Sequence, residues 1–584
     1  MKLLRLKITD PNGFRSLQPD FEIHFLRERD YSEANAFNPY ILAGPNGSGK
    51  SNLLELLAAI FYHIECMYLD YRPVSFEYDE LENLQGFRSE SATPNSFELE
   101  YCIPAPATLN MSKTKEYAHI KIIKEKDKSP LIYWVNRGLF NADADQMLNS
   151  TEQSLTSNEA KELLPDFVLG YSSGENEILS LPFFKMRFIH YDEYKDYLIS
   201  QKPYSSIPEG RLTYLNSEFS QAILLSNLLL QDKDLLEPFR DEVGVEDIKT
   251  FRIIIKKYIK LDEKQITEDP KDTVNFQKSI TETVEDELGE KQYRLDITQN
   301  LKTIIQKLKN CSTCSYYDTE ADELYLDYWV NEETKEAFAH NFYSAIELFQ
   351  AFQILLTLNL YTVNEKLKKE LYQSTSLYVN ETVPTLPSDE RVMRFKDLWI
   401  QKSGVDENIL SKSLSDGEHQ FLHSLGLCLL YKDKKCLFLL DEPETHFNPD
   451  WRAKFISKIR ECFVREKEPT MREMLVTTHT PFLISDSKKD YVLIFNKNVE
   501  SKRVEVFRPD YNTLGASINK ITMKSFGKTA TIGGYAEKQL NEIKERFENG
   551  APRQEIIDEV NNLLGDSVEK VLFIKKVIDS MEAE

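Results

Sequence analysis

Apolar positions change their period several times along the chain, and the changes divide it. LLRLKI (3–8) and FEIHFL (21–26) alternate, and YILAG (40–44) is a short apolar run ending in glycine. Period-two alternation predicts strands. Immediately behind the glycines, NLLELLAAIFYHIECMYLDY (52–71) spaces its apolar residues at helical intervals, so strand, glycine loop and helix follow in that order. SFELEYCI, YAHIKIIK and LIYWVN predict a β meander within 95–136.

From 137 to about 400 helical patterns dominate, over Ser217–Gln231, Val245–Leu261 and Asn341–Tyr361, separated by polar linkers such as DEKQITEDPKD (262–272). No internal repeat is present. Segments with a/d spacing, such as ITQNLKTIIQKL (297–308), last only a few turns, too short for a long coiled-coil arm. RFKDLWIQ (394–401) reads as a strand, HQFLHSLGLCLLY (419–431) as a helix, and CLFLL (436–440) as a buried strand ending in Asp441 and Glu442. WRAKFISKIRECF (451–463) follows as an amphipathic helix, EMLVTTHTPFLIS (473–485) and YVLIFNK (491–497) as strands, and the tail as charged amphipathic helices. The expected division is 1–136, an N-terminal lobe; 137–393, a mainly helical insert; 394–510, a C-terminal lobe; and 511–584, a helical tail.

Composition narrows the class. The 584 residues carry 72 basic and 95 acidic side chains, a net charge of −23, so any nucleic-acid contact requires a local basic patch. KKYIK (256–260) and the 451–463 helix with Arg465 and Lys467 are such clusters, but acids surround them and a solvated face is the default. No apolar run reaches the ~18–20 residues that span a bilayer. The N-terminal stretch carries acid and proline too early for a signal peptide, and a cytoplasmic protein is expected. Seven cysteines read as reduced thiols. Cys311 and Cys314 lack the second pair a zinc site needs. His419 and His423, at i and i+4, read as core or interface residues.

The chemistry concentrates in two stretches almost 400 residues apart. GPNGSGKS fits G-x-x-x-x-G-K-[ST]: Gly44, Pro45, Asn46, Gly47, Ser48 and Gly49 offer backbone N–H groups to phosphates, with Asn52 just behind. Lys50 neutralises their oxygens, and Ser51 offers a hydroxyl to Mg²⁺. LFLLDEP supplies the complement, with Asp441 for Mg²⁺ and Glu442 as general base on water. SLSDGE places Ser415, Gly417 and Glu418 at a helix start, which alone is an ordinary cap. His479 ends LVTTH, where it could contact a γ-phosphate.

Together, Gly44–Ser51, LSDGE at 414–418, LFLLDEP at 437–443 and His479 resemble the ABC-type ATPase heads of the SMC and RecF-like class. GFRSL (13–17) is similar to the N-terminal RecF-like element. The resemblance covers roughly 1–110 and 390–510. It implies an α/β P-loop ATPase head assembled from both ends of the chain, with ATP and Mg²⁺ as cofactors. It also implies a homodimer in which Ser415 completes its neighbour's site, and Arg15 near the nucleotide. Gln85 is a candidate Q-loop glutamine by position only. The insert lacks SMC-type coiled coils, and DEPETHFNPDW and TLGASINKITMKSFG resemble stretches of bacterial restriction-associated or Septu-like defence ATPases. That likeness implies a sensor or regulatory subunit controlling a separate nuclease, HNH-type for example. No nuclease signature is found in this chain; Asp143 and Asp145 lack the strand a TOPRIM site requires. Two other readings stay open: a DNA-repair or chromosome-maintenance ATPase that binds DNA, and an assembly scaffold with little turnover.

Overall fold

A computed structural model describes residues 1–26, 36–81, 83–109, 117–140, 154–173, 179–262, 280–285, 291–363, 365–375, 383, 386–464, 471–527 and 532–582, except 201–209. Asp143, Asp145, Arg465, Lys467 and most of the 262–272 linker lie outside them.

The centre is a seven-stranded sheet in the order Val504–Phe507, Val492–Lys497, Tyr40–Ala43, Glu473–Thr478, Cys436–Asp441, Phe167–Ser172, Leu212–Tyr214. All neighbours run parallel except the Val492–Lys497 and Val504–Phe507 pair. Cys436–Asp441 and Glu473–Thr478 are buried at every position, which explains their nearly unbroken apolar runs. Both ends of the chain therefore build one sheet, and so does the stretch expected as an insert, through Phe167–Ser172 and Leu212–Tyr214.

The helix Lys50–Tyr68 follows the Tyr40–Ala43 strand and packs between this sheet and a second, antiparallel one. The second sheet orders Glu22–His24, Lys2–Ile8, Phe97–Pro104, Tyr117–Lys124 and Leu131–Trp134, which contains the expected meander. Sandwiched in this way, the helix buries Leu53, Leu54, Leu56, Leu57, Ile60, Phe61 and Ile64, more than one apolar stripe. Each fully buried Leu or Ile contributes about 1.5–3 kcal/mol. The opposite side of the central sheet carries the helices Asp416–Leu430, Ser220–Leu230 and Pro449–Val464, in the larger core.

Three expectations need correction. Val245–Leu261 is not a helix: it forms the strands Val245–Lys256 and Tyr258–Asp262. The β-branched run Ile253–Ile255 pairs on one side with Glu323–Trp329 and on the other with Met393–Lys402, and those partners decide against helix. EMLVTTHTPFLIS is not one strand. It stops at Thr478, because Thr480 caps a short helix Pro481–Ser485 with proline at its first position. Asn341–Tyr361 is interrupted at Ser344, whose side chain caps the helix Ala345–Thr357.

The tail forms the helices Ile518–Ser525, Gly534–Glu548, Arg553–Leu563 and Val568–Glu582. The last three share a small core of their own around Leu540, Ile556, Val560 and Phe573. No helix among the described residues is long and apolar enough to cross a membrane.

Candidate functional site

Parallel register brings the chemistry to one edge. Thr478 lies opposite Ala43, Thr477 opposite Asp441, and Asp441 opposite Ser172, so four strands end within one residue of one another. The residues that follow them are Gly44, His479, Glu442 and Ser173. Crevices outside the carboxyl ends of parallel strands are where such sheets bind ligands.

The glycine loop turns directly from strand into helix. Gly44 has φ +146°, and a Cβ there would lie 2.1 Å from the Phe495 carbonyl oxygen, so no other residue fits. Lys50 Nζ donates to the carbonyls of Gly44 (2.9 Å) and Pro45 (3.0 Å), folding the side chain back over the loop. Burial pushes its pKa down to about 8, against the pull of Glu442 and Asp441. Asn46, Gly47, Ser48, Gly49, Lys50, Ser51 and Asn52 line a cavity of about 300 Å³ together with Glu442 and His479.

The two residues expected to hold magnesium touch. Ser51 Oγ donates to Asp441 Oδ1 at 2.8 Å, and Thr477 Oγ1 donates to the same oxygen at 2.5 Å. Burial raises the Asp441 pKa and these two hydrogen bonds oppose it. Glu442, at φ +50°, sits in the left-handed region that costs a non-glycine residue about 1–3 kcal/mol. Its N–H donates to Thr477 Oγ1 at 3.0 Å, so one threonine fixes both acids. His479 Nε2 lies 2.8 Å from Glu442 Oε1, and that hydrogen bond holds the Glu442 carboxyl below the usual range.

These residues fit ATP and Mg²⁺. The Ser48 hydroxyl is buried inside the loop with no partner among the described residues, as a phosphate-facing donor would be. Ser51 and Asp441 supply the hard oxygen ligands Mg²⁺ prefers. Magnesium there would neutralise phosphate charge, while Lys50 would face the phosphates and Glu442 would accept a proton from water.

The other expected residues lie elsewhere. Ser415 is exposed at the start of the helix Asp416–Leu430 and does not line the cavity. It forms a capping box with Glu418, whose carboxylate also binds Lys402. Gly417 is buried, and a Cβ on it would sit 2.7 Å from the His446 carbonyl oxygen. Arg15 pairs with Glu55 on the P-loop helix (2.8 Å) and donates to the Thr375 carbonyl. Gln85 is exposed and lines a different cavity. His423 is a core residue bonded to Ser220 Oγ. Cys311 ends the helix Gln299–Cys311 and Cys314 is exposed in the strand that follows. The basic clusters are engaged: Lys454 and Lys458 pair with Glu242, and Lys257 lies over the Tyr317 ring.

Sequence reasoning missed five residues. Thr477 and Thr478 were visible only as part of an apolar strand. Glu444 is fully buried, accepts from Thr478 Oγ1, and is pushed by burial to a pKa of about 7. Ser173 donates its N–H to the Asp441 carbonyl at 3.1 Å, and its hydroxyl is buried without a partner among the described residues. Gln420 accepts from the His446 N–H at 2.9 Å, tying the Ser415 helix to the turn after Glu442.

Fold and site together define an α/β P-loop ATPase domain. The AAA ATPase domain family matches residues 1–484, and the chain belongs to that family. Among solved structures it is similar to an SMC head bound to the C-winged helix domain of ScpA, at 11% identity and TM-score 0.31, covering 87% of this chain and 98% of that one. It is likewise similar to the SMC head domain from Thermotoga maritima, at 11% identity and TM-score 0.31, covering 88% and 100%. Likenesses this distant add nothing to the family match.

Proposed function

We propose that this protein hydrolyses ATP at a site shared between two copies, and that the closed pair acts as a cytoplasmic sensor or regulator of a separate nuclease in a bacterial defence system. The observation that carries the ATPase reading is the convergence of Lys50, Ser51, Asp441, Glu442 and His479 on one cavity, while Ser415 stands exposed outside it. A half-site on one surface and a signature on another is the arrangement that a two-fold pair completes. Within it, Ser415 and the start of its helix would face the neighbour's phosphates, giving them a helix N-terminus. The regulatory role is supported by the likeness of DEPETHFNPDW to defence ATPases and by an insert that folds back into the head's sheet.

A mixing experiment tests the shared site. Ser415→Arg and Lys50→Ala should each abolish ATP turnover. Mixed in equal amounts, they should recover roughly a quarter of wild-type sites, because half the pairs are mixed and each mixed pair holds one intact site. No recovery, with dimers present, would refute sharing. An HNH or other nuclease co-purifying with the protein in an ATP-dependent manner would support the regulatory role; DNA-end binding in the absence of any nuclease would favour the repair reading.

A further inference from the structure

A second cavity, of about 410 Å³, flanks the P-loop helix and shares no lining residue with the nucleotide cavity. Its size falls within the ~300–1,000 Å³ range of small-molecule sites. One side is the helix Lys50–Tyr68, and the others are the Gly13–Arg15 turn, residues 75–76 and 85–93, the helix Ser180–Ser200 and a strap at Tyr372–Thr375.

Its charge sets it apart. Arg15, Arg88 and Lys185 line it against a single carboxylate, Glu55, in a chain whose acids outnumber its bases by 95 to 72. Glu55 is already engaged, accepting from Arg15 Nε at 3.0 Å and Nη2 at 2.8 Å. Neither Lys185 nor Arg88 forms an ion pair among the described residues. Lys185 donates to the carbonyls of Tyr372 (2.9 Å) and Ser374 (2.8 Å), and burial pushes its pKa down to about 8. A half-buried ammonium held only by neutral carbonyls favours an anion beside it.

Another part of the lining is aromatic. Phe76 and Phe87 stack with centroids 5.1 Å apart at 14°, and Tyr372 meets Phe76 edge-on at 5.2 Å. His63 packs on Phe87 at 5.3 Å, and burial lowers its pKa to about 4, so it adds an uncharged ring.

We infer that this cavity is a second ligand site, for a small anion built on a planar ring, the chemistry of a mononucleotide. Lys185 and Arg88 receive the anionic group, and the ring lies against the Phe76 and Tyr372 wall. The consequence for turnover rests on the ATPase reading above; the binding does not. Arg15 and Lys185 hold consecutive carbonyls of the strap, Thr375 and Ser374. Ser16 Oγ in the same turn donates to Asn52 Oδ1 at 2.6 Å, and Glu55 lies one helical turn beyond Ser51. An anion that draws Arg15 from Glu55 therefore loosens the turn that braces the start of the P-loop helix.

Calorimetry on the full chain tests this. The protein is saturated with Mg²⁺ and a non-hydrolysable ATP analogue and titrated in parallel with adenosine monophosphate, phenyl phosphate and inorganic phosphate. One further site per chain is expected for adenosine monophosphate, with phenyl phosphate weaker and inorganic phosphate weakest. Lys185→Met and Arg88→Glu should each weaken that site at least tenfold, and Lys185→Arg should restore most of it, with analogue affinity unchanged in all three. Abolition of the second site by the analogue would overturn the inference, since the P-loop nucleotide would then occupy this cavity. So would affinity unaltered in Lys185→Met, or no binding of any probe; inorganic phosphate binding as tightly as the monophosphate would remove the ring requirement. Failure of the ATPase reading would show separately, as wild-type protein that does not bind the analogue through Lys50, and the Lys185 variants would still decide the second site.

Discussion

Glu442→Gln separates chemistry from binding more cleanly than any other change at this site. The substitution keeps the side chain's length, and the amide oxygen can still accept from His479, so the 2.8 Å contact has a neutral replacement. The N–H of residue 442 still donates to Thr477 Oγ1, so the strained turn keeps its anchor. Only the basic oxygen is lost. A positioned general base contributes about 10²–10⁴-fold, which corresponds to about 2.7–5.5 kcal/mol of barrier. Single-turnover hydrolysis should therefore fall by that factor. Affinity for ATP should hold or rise, because a carboxylate no longer faces the phosphates. The pH profile adds a second readout. With its pKa held low by His479, Glu442 stays ionised down to acid pH, so the wild-type acid limb should lie below the ordinary glutamate range and vanish in the variant. Turnover undiminished in Glu442→Gln, with the limb intact, would refute the assignment of base.

Three further outcomes follow from specific contacts. Lys50, with a pKa of about 8 in the free protein, should bind ATP evenly below that pH and lose affinity as pH rises through it; fluorescent-nucleotide titration from pH 6.5 to 9.5 reads the step, which Lys50→Met should abolish along with tight binding. Thr477→Val removes one of the two donors to Asp441 Oδ1, leaving Ser51, and takes from the Glu442 N–H its acceptor at a cost of about 1–3 kcal/mol, so the Mg²⁺ concentration for half-maximal turnover should rise with ATP affinity little changed. Gly417→Ala forces a Cβ to within 2.7 Å of the His446 carbonyl, an overpacking worth about 1–3 kcal/mol; denaturant unfolding should register that loss, and turnover should drop because the carbonyl belongs to the turn after Glu442.

The motifs were legible because each is local. A glycine loop between strand and helix, or two acids at the end of an apolar run, is written in consecutive residues. What joins them was not. Thr477 and Thr478 read as ordinary strand residues, yet parallel register sets one beside Asp441 and lets the other bind Glu444. Ser173 reaches the same edge only because Phe167–Ser172 pairs with Cys436–Asp441, from a stretch whose helical patterns pointed away from the sheet. Val245–Lys256 shows the same limit: its spacing fits either period, and partners at 323–329 and 393–402 settle it. The contact with most consequence is also the least local. Gln420, on the helix that begins at Ser415, grips the backbone at His446, four residues past Glu442. Gly417 of that helix fits against the carbonyl of the same residue. In the proposed pair, whatever engages Ser415 would act on a helix that also holds the turn after Glu442. That contact would give each copy of the proposed pair a way to sense the nucleotide held by the other.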